Sequence, residues 1–220
     1  MTPTATSTPR ESVETSTMDA RARPRWRAGQ FGGLAAAAVL TIFGVASILK
    51  GLDGHSTVRD ALAQEQVVGS SYMTPAAIAD KASVAGIRDV QLPTCSVAGQ
   101  PVVDGASARC FAEYMRIDAL LATRGATYAE LPRFATDDGK GTNDPAQAQQ
   151  GPNGEPVSNP ARNVWVTQTA LSTALNTSYM AEQISLFGIA VGLAFVLIGM
   201  ACAAALIARR RQSTAALHAT

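Results

Sequence analysis

The chain has 220 residues, a formal charge of +1, 47% hydrophobic residues and a mean hydropathy of +0.09. The near-neutral total conceals two basic tails around an acidic middle. The basic residues are accounted for by topology, so no nucleic-acid role follows from them and no nucleic-acid partner is expected. Arginine outnumbers lysine fifteen to three, a bias that suits a GC-rich bacterial genome.

Residues 1–30 open the chain with a Thr/Ser-rich tail holding Pro3 and Pro9 and almost nothing apolar, followed by Arg21, Arg23, Arg25 and Arg27. Such a segment buries too little surface to order itself and reads as a disordered cytoplasmic tail. Trp26, among the arginines, has the type and position of a membrane-interface anchor. The uncharged run Phe31–Leu49 follows, 19 residues long. About 20 apolar residues are needed to cross the ~30 Å hydrocarbon core as a helix, so 31–50 is a predicted transmembrane helix. Lys50 closes it, its stem able to snorkel to the outer interface. The competing reading is a cleaved signal peptide. Its usual apolar region of ~7–15 residues is shorter than this run, and Val45-Ala46-Ser47 is only a weak cleavage pattern.

Residues 51–135 form the predicted helical extracytoplasmic domain. Thr57–Gln66 has Val58, Ala61, Leu62 and Glu65 at helical spacing, with a turn expected at Asp53-Gly54-His55-Ser56. Thr74-Pro75 starts a second helix, Thr as N-cap and Pro at the first helical position. Gly86–Val103, with Pro93, Gly99 and Pro101, reads as a loop and carries Cys95. Asp104-Gly105 opens a helix over 106–123. Its inner stripe is Cys110, Tyr114, Ile117 and Leu121, widened by Phe111 and Met115, and Gly125 ends it.

Cys95 and Cys110 have fourteen residues between them and fall in the exported segment. An oxidising compartment favours a disulfide there, worth ~3 kcal/mol for a loop of that size in the chain-entropy model. The alternatives are two free thiols or a redox pair, although the Cys-x-x-Cys spacing of thiol oxidoreductases is absent.

Residues 136–160, dominated by Gly, Pro, Asn, Asp and Gln, read as a linker or long surface loop. Its acidic residues do not follow the register of a calcium loop. Asn159-Pro160 is a further cap-plus-proline start. From Ala161 no Pro or Gly intervenes until Gly188, so a stalk helix over 161–183 is expected to run directly into the second apolar run, Ile184–Ala208. Val164, Leu171, Leu175 and Tyr179 are its expected inner stripe, and the whole helix would be about 70 Å long. The uncharged run has 25 residues and is followed by Arg209, Arg210 and Arg211 in the second cytoplasmic tail, 209–220.

Orientation follows from the cations. The first tail holds five arginines and the second three, whereas Gly51–Gln183 has nine Lys/Arg against fourteen Asp/Glu. Basic flanks resist translocation, which places both termini in the cytoplasm and the middle outside the plasma membrane. The fold class expected is all-α: two transmembrane helices bracketing a small helical extracytoplasmic domain, with the lipid bilayer as one partner. Within the spans, Gly188 and Gly192 make a GxxxG step, Gly199 and Ala203 repeat the small-residue spacing, and Gly33 and Ala37 do so in the first span. Small faces let helices approach closely, either within one chain or in a homo-oligomer. Cys202 is read as a small packing residue of the second span.

Chemistry is sparse. The outer segment has one histidine, His55, and no metal-ligand, phosphate-cradling or dinucleotide motif, so no catalytic residue, metal or cofactor is assigned. The spans lack the ionisable residues or breaks that a transport pathway requires.

Four segments carry a family resemblance: Ala61-Leu62-Ala63-Gln64-Glu65-Gln66, Tyr72-Met73-Thr74-Pro75, Gly125-Ala126-Thr127-Tyr128-Ala129-Glu130-Leu131, and Leu171 into Phe187. Together they resemble a poorly characterised group of actinobacterial two-span membrane proteins, over about residues 40 to 205. The group sometimes bears the label of an aromatic-ring-opening dioxygenase, whose iron site would require a His/carboxylate cluster this chain lacks. The Cys95/Cys110 pair and the Gly/Pro/Asn-rich loop depart from the group's pattern. Three functions are consistent with these readings: a noncatalytic accessory or scaffold component of an envelope complex with a protein partner, a membrane signal relay or sensor, and an envelope thiol oxidoreductase using Cys95 and Cys110.

Overall fold

The computed structural model describes the backbone of residues 22–218 and the side chains of residues 31–212. Arg21, the side chains of Arg23, Arg25, Arg27 and Trp26, and the Thr/Ser-rich tail lie outside the described residues. Among those described, the chain is all-α: α1 (Ala22–Gln64), α2 (Pro75–Val84), α3 (Gly105–Ala122) and α4 (Pro160–His218), with one 3₁₀ turn at Pro145–Gln147 and isolated β-bridges in place of strands. Two compact units are present. One joins the chain up to Ile48 with Ala190 onward, and the other is Leu49–Ile189.

In the first unit, parts of α1 and α4 lie side by side with almost no space between their backbones. A Cβ placed on Gly44 would stand 2.6 Å from the Gly192 carbonyl oxygen, and one on Gly192 would stand 2.6 Å from that of Gly44. Lower in the pair, Gly199 abuts Thr41 and the Ala37 carbonyl, and Gly33 meets Leu206. The contacting positions are 33, 37, 41, 44 and 48 on α1 and 192, 196, 199 and 206 on α4. Gly33 and Ala37 stand in the seam at the four-residue spacing read for them, and the seam as a whole advances in steps of three, four and seven, with Gly192 in it. Gly188 lies in the other unit and Ala203 is half-buried beside the seam. Cys202 is exposed, so it is not the packing residue expected. Arg209, Arg210 and Arg211 are exposed, with the Arg210 guanidinium 5.5 Å from the Phe31 ring centre.

Both long helices contain a stretch long and apolar enough to cross a membrane, with hydropathies of 2.1 and 2.6. Only 11% of each such stretch is buried, unlike the core helix of a soluble protein. Large apolar side chains such as Phe43 and Phe187 stand more than 60% exposed. A row of this kind is a surface that avoids water.

In the second unit, α1 continues through Asp53–Ser56, where a turn was expected. Gly54 is there for close packing, since a Cβ would stand 2.6 Å from the Ser185 hydroxyl, and Gly51 similarly meets the Ser185 carbonyl at 2.6 Å. The hydroxyls of Ser56 and Thr57 both donate to the Asp53 carbonyl, as helical Ser and Thr do. The Thr74 side chain caps α2 and Pro75 follows it, as the Thr-Pro pair predicts. Asp104 begins α3 in a reciprocal capping box with Ser107. The bonds from Ser107 hold the Asp104 carboxyl below the ordinary carboxylate range.

The core is built on α3, with Cys110, Tyr114, Ile117 and Leu120 packed against Ile78 of α2, Met73, Val97 and Trp165 of α4. Leu120 takes the deep position expected of Leu121, which is half-buried. Cys95 and Cys110 have their sulfurs at disulfide distance, 2.09 Å, and tie the loop before α3 to its second turn. The segment from 136 to 160 is a surface loop pinned at both ends. Phe134 bridges Thr142 and Ser158, and Asn159 caps α4 while its amide donates to the Pro132 carbonyl.

The buried stripe of α4 differs from expectation. Trp165, Gln168 and Glu182 are buried, with Leu175 and Tyr179 half-buried between them, whereas Val164 and Leu171 are 37% and 48% exposed. The polar members are tolerated inside because they are bonded. The Trp165 indole donates to the Ala126 carbonyl, Gln168 donates to Ser172, and Glu182 accepts from the Gly105 N–H.

Candidate functional site

The exposure of Val164 and Leu171 has a counterpart on α3. Together the two helices wall an open groove of about 1200 Å³ within the second unit, lined also by Leu62 and Glu65 of α1 and by Val67, Ser70, Tyr72 and Met73. On α4 the lining falls at positions 160, 163, 164, 167, 168, 171, 174, 175 and 178, and on α3 at 111, 115, 118, 119 and 122. Within these, 160, 164, 167, 171, 174 and 178 on α4 and 111, 115, 118 and 122 on α3 advance in alternating steps of four and three, while Gln168, Leu175 and Ala119 flank them on the core side. Each helix therefore turns one apolar seam to the core and a second to the groove. Phe111 and Met115, read from the sequence as the broad side of the buried stripe, are half-buried groove walls.

Two carboxylates, Glu65 and Asp118, are the only charged groups of the lining. Asp118 accepts a 2.8 Å hydrogen bond from the Tyr72 hydroxyl, whose ring carries the Lys81 ammonium 3.2 Å from its centre. Burial, then the Asp118 carboxylate, raises the Tyr72 pKa, so the phenol stays a donor at neutral pH. The walls supply shape and apolar surface, and the carboxylates supply direction.

A second, smaller cleft of about 440 Å³ separates α3 from another face of α4. Arg109, Glu113 and Arg116 face Gln168, Ser172 and Asn176 across it. Arg109 is engaged by Glu113 at 3.6 Å, with both side chains about half in solvent. Exposed pairs of this type contribute little and hold no fixed geometry.

His55 is the one histidine whose side chain is described. Its Nδ1 stands 3.1 Å from Glu182 Oε1, within ion-pair reach when the imidazole is protonated, although that buried nitrogen makes no aligned hydrogen bond. The other Glu182 oxygen accepts a 2.6 Å bond from the first N–H of α3. A carboxylate at a helix N-terminus is favourably placed. The node ties α1, α3 and α4 together around a side chain that the sequence reading passed over.

Cys110 is 5% exposed, so only Cys95 of the pair is open to an attacking thiolate. Among the described residues no group of three or more His, Cys, Asp or Glu is arranged to hold a metal ion. Gly192 and Gly199 meet α1 of the same chain, as described above. No family model matches this chain, and comparison with curated proteins and with solved structures returns no match to either its sequence or its fold.

Proposed function

We propose that this chain is a noncatalytic, two-span protein of a bacterial plasma membrane whose helical extracytoplasmic domain docks a protein partner, as an accessory or scaffold component of an envelope complex. The groove between α3 and α4 carries this reading. It presents apolar seams from two helices to solvent, and its volume of about 1200 Å³ exceeds the ~300–1,000 Å³ of ordinary small-molecule sites. The place of Cys110 in the packed core fits a structural staple, and the absent Cys-x-x-Cys spacing disfavours the alternative of thiol oxidoreduction. Membrane anchorage is supported by the two exposed apolar stretches, and orientation by the arginine flanks.

Two measurements test it. Alkaline phosphatase inserted in the loop at Gly139 is expected to be active in cells, and a fluorescent protein fused after Thr220 is expected to fluoresce in the cytoplasm. The reverse pattern would refute the orientation. A photoreactive benzoylphenylalanine replacing Leu171 in the full chain is expected to give a discrete protein adduct in native membranes. The same residue at Thr177, which is exposed on α4 and lines neither cleft, should not. Equal capture at both positions, or capture of lipid alone at Leu171, would remove the groove as a protein-docking site.

A further inference from the structure

Resting on the docking-module reading, we infer that the occupant of the groove is an amphipathic α-helix of a partner protein, with Lys or Arg where it faces Glu65 and Asp118. The first argument is register. Val164, Leu171 and Ala174 on α4, and Phe111, Met115 and Ala122 on α3, repeat at the 3.5-residue interval that receives a third helix by knobs-into-holes packing. An extended strand, with period two, would match neither wall. Two parallel heptad seams facing one trough are the surface of a helical bundle lacking a member.

Dimension is the second argument. The α4 wall runs from Pro160 to Ser178 and the α3 wall from Phe111 to Ala122, lengths of about 27 Å and 17 Å at helical rise. They accommodate a partner helix of roughly 11 to 18 residues, and a helix diameter of about 10 Å matches a trough larger than a small-molecule pocket.

Charge selects among helices. The lining contains Glu65 and Asp118 and neither Lys nor Arg; Lys81 sits over the Tyr72 ring and is not part of the lining. Asp118 accepts one bond from Tyr72 and keeps acceptor capacity for a cation. An acidic helix would bring like charges together at exposed Glu65 and half-buried Asp118. The flexible thioethers of Met73 and Met115 let the floor adapt to the apolar face of the incoming helix.

The test uses the full chain in phosphatidylcholine nanodiscs and two labelled 18-residue helices of identical apolar pattern, one Leu/Ala/Lys and one Leu/Ala/Glu, with empty nanodiscs subtracted. The Lys helix is expected to bind at least tenfold more tightly than the Glu helix. The E65Q/D118N variant should lose at least tenfold of that affinity and abolish the preference. Both substitutions conserve shape, and retention of the Cys95–Cys110 disulfide on a non-reducing gel reports folding. Equal binding of the two peptides, or an unchanged affinity in E65Q/D118N, would overturn the inference.

Mapping the Leu171 photoadduct separates this inference from the reading beneath it. A captured segment with basic heptad character supports both. An extended or acidic segment, or a second copy of this chain, overturns the helix proposal and leaves protein docking standing. A lipid adduct alone overturns both.

Discussion

Replacing Tyr114 by alanine is expected to destabilise the helical unit by about 3–5 kcal/mol, the range for removing a buried aromatic ring, and replacing it by phenylalanine by about 1–3 kcal/mol. Tyr114 is fully buried, and its hydroxyl donates a 2.6 Å hydrogen bond to the Cys95 carbonyl. Truncation to alanine leaves a cavity at the centre of α3, whereas phenylalanine keeps the packing and orphans one carbonyl. The same loop is held by the disulfide, whose removal as Cys95→Ala/Cys110→Ala should cost ~3 kcal/mol for a closed loop of this length. The two effects are coupled, since the disulfide fixes the loop that the hydroxyl binds. The combined loss is therefore expected to fall below the sum of the separate ones. Chemical unfolding of the full chain in detergent, followed by tryptophan fluorescence, measures all three. Additive losses would mean that the two ties act independently.

This hydroxyl also has a pH signature. Burial, reinforced by the neighbouring Glu113 charge, raises the Tyr114 pKa above its ordinary value of 10.0. The neutral phenol is therefore favoured by folding. Its contribution is fully present below pH ~10 and is lost as pH rises through the elevated folded pKa. Tyr114→Phe should flatten that alkaline decline.

Signals confined to a few neighbouring residues were legible in the sequence. Thr74-Pro75, Asp104-Gly105 and Asn159-Pro160 start their helices where local capping chemistry requires. The two apolar runs sit within α1 and α4, and the cysteine spacing pointed to the pair now at disulfide distance. What failed was any inference in which a residue's role depends on a distant partner. Gly54 has the composition of a turn, yet it is a smooth place on a helix pressed against Ser185. Gln168 and Glu182 are polar and look external, yet Ser172 and the start of α3 satisfy them in the interior. Val164 and Leu171 look internal and line the groove instead. The groove was hidden for the same reason. A helix with two apolar seams reads as one broad stripe until its neighbours show which seam is covered. An earlier clue existed in Trp165 beside Val164, because adjacent large apolar residues on a helix point about 100° apart and cannot share one narrow seam.

Gly192→Leu is expected to destabilise the α1–α4 pair of the first unit by about 1–3 kcal/mol or more, as overpacking does. The added side chain has nowhere to go. Its Cβ alone would approach the Gly44 carbonyl oxygen to 2.6 Å and the Ile48 backbone nitrogen to 2.9 Å, and backbone cannot rotate aside as a side-chain tip can. The helices must separate, forfeiting the neighbouring contact at Gly199 as well. Leu193→Ala provides the control, because Leu193 is 52% exposed and adjacent in sequence. Thermal scans of the full chain in detergent, read by size-exclusion of a fluorescent fusion, should show a lowered midpoint for Gly192→Leu and little change for Leu193→Ala. An unchanged Gly192→Leu midpoint would show that the close seam is not what holds the pair. The distinction bears on function. Between Phe31 and Leu49 and between Ile184 and Ala208 there is no Asp, Glu, Lys, Arg or His, so the pair brings none of the charged side chains that ion pathways use. The close approach holds the two helices together at short distance, as the proposed anchor of a docking surface requires.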